Sequence, residues 1–86
     1  MEEFVVYILH SALSDKSYVG CTSHLIERVK SHNVYGKDWT KDFRPWIVIH
    51  IEFFNSRSEA MKREKYFKRG RGLYLKKKLI SDFYNT

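Results

Sequence analysis

Eighty-six residues limit the chain to one domain with a small core, since 43% are hydrophobic and 16% aromatic. A single cysteine, Cys21, excludes an internal disulfide and a cysteine-built metal cage, and no apolar run approaches the length of a membrane span. The formal charge of +6 is unevenly placed, with net −1 over residues 1–43 and net +7 over residues 44–86, so the expected setting is a reducing cytoplasm, away from membranes, with a polyanionic partner.

The chain opens with two β-rich runs, Phe4–His10 and Ser17–Cys21, around a polar loop. This order predicts a hairpin. Side chains alternate faces along a strand, which places Val5, Tyr7 and Leu9 together, and Tyr18 with Gly20. Gly20 leaves space beside Tyr18 where a substrate backbone can approach. Taken alone, Tyr7 and Tyr18 read equally as ordinary core tyrosines, because tyrosine is a common strand residue. Cys21 reads as a small buried residue rather than a nucleophile.

Thr22 or Ser23 then caps a first helix whose apolar stripe is Leu25, Ile26 and Val29. Arg28 lies at the edge of that stripe, four residues before His32, so the two are neighbours. Each is either a boundary residue or a site residue. Asn33 and Gly36 are stop signals. Residues 34–44 read as a loop, in which Lys37, Lys41 and Arg44 can touch phosphate and Trp39 either stacks on a base or covers the core.

After Pro45, residues 46–54 form the strongest strand signal. It is expected in the centre of the sheet, with Ile47, Ile49, Ile51 and Phe53 as a fully apolar face and Trp46, Val48, His50 and Glu52 opposite. Ser56-Arg57-Ser58-Glu59 is a capping box that opens a helix running to about Arg69, with Gly70 and Gly72 as its stop. On its helical wheel Glu64 falls inside the apolar face of Ala60, Met61 and Phe67. A carboxylate there needs a partner, so Glu64 is half of a buried ion pair, with Arg28 as candidate, or a metal-binding or acid/base group. A last helix over Leu73–Phe83 completes the chain, and Tyr84–Thr86 are expected to fray. From Lys62 to Lys78 there are nine basic residues against one acidic one. Lys62, Arg63, Lys65, Lys68, Arg69, Arg71, Lys76 and Lys77 are the candidate nucleic-acid contacts. The expected class is α+β, with a three-stranded antiparallel sheet flanked by three helices.

Assembled, these residues resemble a known superfamily. Val5-Val6-Tyr7, ten residues, Tyr18-Val19-Gly20, an arginine and a histidine on the next helix, and a glutamate ending Ser58-Glu59-Ala60-Met61-Lys62-Arg63-Glu64 are similar to the GIY-YIG nucleases. The likeness is to their short stand-alone bacterial branch, related to the nuclease module of the bacterial excision-repair endonuclease. It implies metal-dependent hydrolysis of DNA, favoured over RNA, with Tyr7, Tyr18, Arg28, His32 and Glu64 as the catalytic set. By the same resemblance Glu64 holds a single Mg²⁺ or Mn²⁺, Tyr18 is the general base with Tyr7 beside it, Arg28 steadies the scissile phosphate and His32 completes the hydrogen-bond network. Val5 replaces the first motif's glycine and Val19 the isoleucine of the second. Cys21 stands where some members carry lysine. An asparagine found after the glutamate in some members has no clear counterpart, Lys76 lying near its place. The alternative activity is a catalytically weak or inactive nucleic-acid-binding module, and the blandest reading is a protein-interaction domain.

Overall fold

β1 (Phe4–Ser11) is apolar at almost every position and buried along nearly its whole length. A strand of that kind belongs where both faces of a sheet are covered. The computed structural model, which describes residues 3–85, places it there. β2 (Lys16–Thr22) and β3 (Ile47–Phe54) pair antiparallel on either side of it, in the order β2-β1-β3. The α+β class and the three-stranded antiparallel sheet agree with the sequence reading. The central position expected for the third strand falls instead to the first, and β3 is an edge.

One face of the sheet carries Val6, Ile8 and Val19, covered by Ala60 and Phe67 of the α2 region, with Leu75, Leu79 and Ile80 packed around them. Here α2 is Arg57–Tyr66 and α3 is Gly70–Tyr84. The other face carries Tyr7 and Leu9 with Trp46, covered by Leu25 and Val29 of α1 (Leu25–Lys30). The predicted capping at Ser56 is present, its hydroxyl accepting from the Glu59 N–H at 3.2 Å. The expected loop after α1 is more ordered than its composition indicates. The helix runs on through one π-helical turn, Ser31–Tyr35, and a 3₁₀ helix covers Trp39–Phe43.

Two expectations about faces are corrected. The partner of Ile8 is His50, but the partner of Leu9 is Val48. Ile49 is therefore the extra residue of a bulge, which breaks strict alternation. Ile49 joins the Val6 cluster and Val48 joins the Tyr7 cluster. The supposedly apolar face is the more exposed one, with Ile51 38% and Phe53 61% accessible. Glu52, on the opposite face, is held by the Arg63 guanidinium, Nε at 2.7 Å and Nη2 at 3.1 Å. Tyr84, expected to fray, is instead held in place. The Tyr84 hydroxyl donates to His10 Nδ1 at 2.8 Å, while His10 Nε2 meets Asp15 Oδ1 at 2.9 Å. Thr86 lies outside the described residues. Among those described, no helix is long and apolar enough to cross a membrane.

Candidate active site

The site is built on the β1–β2 pair. Register sets Tyr7 opposite Gly20 and Leu9 opposite Tyr18, so both tyrosines reach the α1 face. Their rings lie 6.1 Å apart between centroids, and the His32 ring lies 4.5 Å from that of Tyr18, tilted by 57°. Gly20 acts differently from the sequence expectation. Its missing side chain leaves room not for substrate but for Tyr7: a Cβ there would fall 2.8 Å from Tyr7 Cε1 and against its hydroxyl. Gly20→Ala should therefore shift the Tyr7 ring and cost ~1–3 kcal/mol through overpacking, read as a lowered melting temperature. An unchanged melting temperature would show that the ring is free to move aside.

Tyr7 is buried, and burial pushes its hydroxyl pKa up to about 12 against the opposing pull of the Arg28 guanidinium; Tyr18 adds to the rise. A phenol so poorly disposed to ionise is unsuited to act as a base by itself. The half-exposed Tyr18 is the better placed of the two to meet water. Arg28 interacts with both hydroxyls, that of Tyr7 first, and this holds its own guanidinium more firmly protonated.

Arg28 also lines a cleft of about 290 Å³ with Cys21, Thr22, Ser23, Arg57, Met61 and Glu64. This one cation joins the tyrosine pair to the glutamate. Glu64 is 24% exposed and pairs with Lys68 at 2.8 Å, one helical turn away and itself 52% exposed. The alternative of a buried pair with Arg28 is not what forms. Cys21 borders the same cleft. Burial, and then the Glu64 charge, push its thiol pKa up, with Arg57 opposing, which leaves it a poor nucleophile. Among the described residues no three His, Cys, Asp or Glu cluster as a metal cage. A lone carboxylate on an open cleft, beside two hydroxyl residues, suits an ion such as Mg²⁺ that keeps most of its waters.

His32 is 3% exposed and bonded at both ring nitrogens, Nε2 to the Tyr7 hydroxyl at 3.1 Å and Nδ1 to Thr40 Oγ1 at 3.0 Å. Burial holds its pKa below the usual histidine value, with Arg28 and Arg44 acting in the same direction and Asp38 against them. Sequence reasoning passed over Thr40, whose role depends on a hydrogen bond eight residues back. It also passed over Arg57, although Arg57, Met61 and Glu64 recur at the helical period and line the same cleft.

The basic block divides. Lys62, Lys65, Arg69 and Arg71 surround a shallow concavity with Tyr66. Lys68 and Lys76 line a second one with Ser17, Tyr18 and Trp39. Lys76 and Lys77 reach a third at the hairpin tip. Arg63 is apart from these, engaged by Glu52 and stacked over the Tyr66 and Phe67 rings. Arg44 is likewise taken up, donating to the carbonyls of His32, Ser31 and Gly36. Trp39 remains half exposed, its ring 6.0 Å from that of Tyr18.

Comparison with known proteins adds a family to this geometry. Residues 3–78 match the model of the GIY-YIG catalytic domain. The UPF0213 protein of Syntrophus aciditrophicus is 39% identical over 72 residues, covering 80% of each chain. That of Staphylococcus haemolyticus is 37% identical over 65 residues, 74% of this chain and 78% of its own. The solution NMR structure of a UPF0213 protein from Bacillus halodurans superposes with a TM-score of 0.55 at 30% identity, covering 92% of this chain and 83% of that one.

Proposed function

The chain belongs to the GIY-YIG catalytic-domain family, and on that premise we propose that it is a divalent-metal-dependent endonuclease that hydrolyses DNA phosphodiester bonds. The observation that carries the reading is Arg28, whose charge acts on Tyr7 and Tyr18 and which lines the same cleft as Glu64. A phosphate seated on Arg28 is then within reach of a proton acceptor on one side and the carboxylate on the other.

The residues divide the chemistry as follows. A phosphodiester is anionic and repels an incoming nucleophile until its charge is offset. Arg28, with Arg57 on the opposite wall of the cleft, supplies fixed positive charge for the phosphoryl oxygens. Glu64 is the residue that would hold the metal, and Mg²⁺ or Mn²⁺ bound there would supply further charge neutralisation, including of the departing oxygen. Tyr18 takes the proton of the attacking water and Tyr7 orients it. The lysines beside Tyr18 and Trp39 place the backbone of the nucleic acid along the β2 edge. Cleavage of supercoiled plasmid in Mg²⁺ or Mn²⁺, stopped by EDTA, is the expected result. Binding without cleavage would instead select the inactive binding module.

Contact through phosphate rather than bases has its own signature. Affinity for duplex DNA should fall with salt, with a log–log slope of ~−0.9 per phosphate contact. Replacing Lys62 and Lys65 by Ala should make that slope shallower, whereas Arg63→Ala should leave it unchanged, because Arg63 is bound to Glu52. A slope near zero in the wild type would remove nucleic acid as the partner.

A further inference from the structure

Behind Tyr7 the hydrogen bonds continue past His32 into the 3₁₀ helix. Thr40 is fully buried, and its backbone N–H donates to Asp38 Oδ1 at 3.0 Å. Its hydroxyl donates to the same oxygen in a short bond. The direction of the chain follows from its end. An ionised carboxylate only accepts, so the single Thr40 hydrogen is spent on Asp38. Thr40 Oγ1 must then accept from His32, which places the imidazole hydrogen on Nδ1. Nε2 is left with its lone pair, and the Tyr7 hydroxyl donates to it. Tyr7, His32 and Thr40 therefore all donate the same way, toward Asp38.

We infer that Thr40 and Asp38 are positioning residues for the tyrosine site, holding His32 as the Nδ1–H tautomer so that His32 Nε2 receives the proton of Tyr7. The consequence for rate rests on the hydrolysis proposed above; the tautomer does not. It resolves a difficulty of that reaction, that tyrosine is a poor base near neutral pH. The Tyr18 ring lies beside those of Tyr7 and His32, with centroids 6.1 and 4.5 Å away. As the O–H bond of the attacking water breaks, its proton passes to Tyr18, the Tyr18 proton to Tyr7, and the Tyr7 proton to His32 Nε2. The resulting hydroxide attacks phosphorus, and the positive charge resides on the His32 imidazolium, across Thr40 from the Asp38 carboxylate. Neither phenol is required to exist as a free phenolate. Asp38 is kept ionised for this role, its pKa lowered first by the Thr40 hydroxyl and then by the Thr40 N–H.

The test is the ¹⁵N spectrum of His32 at neutral pH, with single-turnover and steady-state cleavage beside it. A free imidazole favours the Nε2–H form, so the wild type is expected to show the less common Nδ1–H form. Thr40→Val keeps the shape and removes the acceptor. It should move His32 toward Nε2–H and lower kcat by ~10-fold or more with KM nearly constant. Thr40→Ser should restore both. An Nε2–H tautomer in the wild type overturns the inference, whether or not Thr40→Val folds, and so does an unchanged kcat in a folded Thr40→Val. A wild type that shows Nδ1–H yet cleaves nothing supports the hydrogen-bond chain and sinks the hydrolysis.

Discussion

Tyr18→Phe is expected to fold as the wild type does and to nick plasmid ~10²-fold more slowly or worse. The substitution removes one hydroxyl from a half-exposed ring whose contacts with Tyr7, His32 and Trp39 are otherwise kept. Tyr7→Phe should behave differently in both respects. Its hydroxyl is the partner of His32 Nε2 at 3.1 Å in a buried setting. Removing it leaves that nitrogen without a donor, at a cost of ~1–3 kcal/mol. Its effect on cleavage should be the smaller of the two, because Tyr18 borders solvent and still has water to which its proton can pass. The paired observation, melting temperature and nicking rate for each variant, separates the tyrosine that takes the water's proton from the one that relays it to His32. Full activity in both would return Tyr7 and Tyr18 to ordinary core residues.

Glu64→Gln is expected to abolish cleavage while leaving the fold at least as stable. Had Glu64 formed a buried pair with Arg28, the substitution would strand a charge and cost ~3–5 kcal/mol. Its partner is instead the exposed Lys68, at 2.8 Å in the turn that follows the helix. Exposed pairs one turn apart contribute only ~0.3–0.5 kcal/mol. Glutamine keeps the shape, and the loss of that small term is offset by removing a partly desolvated charge. Mn²⁺ should raise the melting temperature of the wild type and not of the variant. DNA binding should survive, since Arg28, Arg57 and the lysines remain and one negative charge has gone. A large metal-free loss of stability would show that the carboxylate has a structural partner after all.

What the sequence makes legible here is whatever depends on local period. The alternation around Tyr7 and Tyr18, the four-residue step from Arg28 to His32, and the intrusion of Glu64 into an apolar helix face are all visible within a dozen residues. The first agrees with where the structure puts these side chains, whereas Glu64 lies with the exposed Met61 on the cleft, outside the buried cluster of Ala60 and Phe67. What escapes the sequence is set by contacts between distant segments. The bulge at Ile49 exists because β3 must pair with β1 in two registers, and it reverses the expected inside and outside of Ile51 and Phe53. Gly20 is small because Tyr7 crosses over it from the neighbouring strand. Arg63 stands within the basic block yet is bound to Glu52, eleven residues earlier on another element. The bond of Thr40 to Asp38 is a local cap of the 3₁₀ helix, but its bond to His32 forms only when that helix folds back on the π-helical turn.

The proposed hydrolysis rests on the cleft that Arg28 and Glu64 line together. The most direct measurement is conversion of supercoiled plasmid to open circle by wild type and Glu64→Gln, purified identically and assayed in Mg²⁺, Mn²⁺ and EDTA. Metal-dependent nicking by the wild type, none in EDTA, and none by Glu64→Gln under any condition are expected. Equal nicking by both proteins, or a wild type inactive with either metal while still binding DNA, would contradict the proposed hydrolysis.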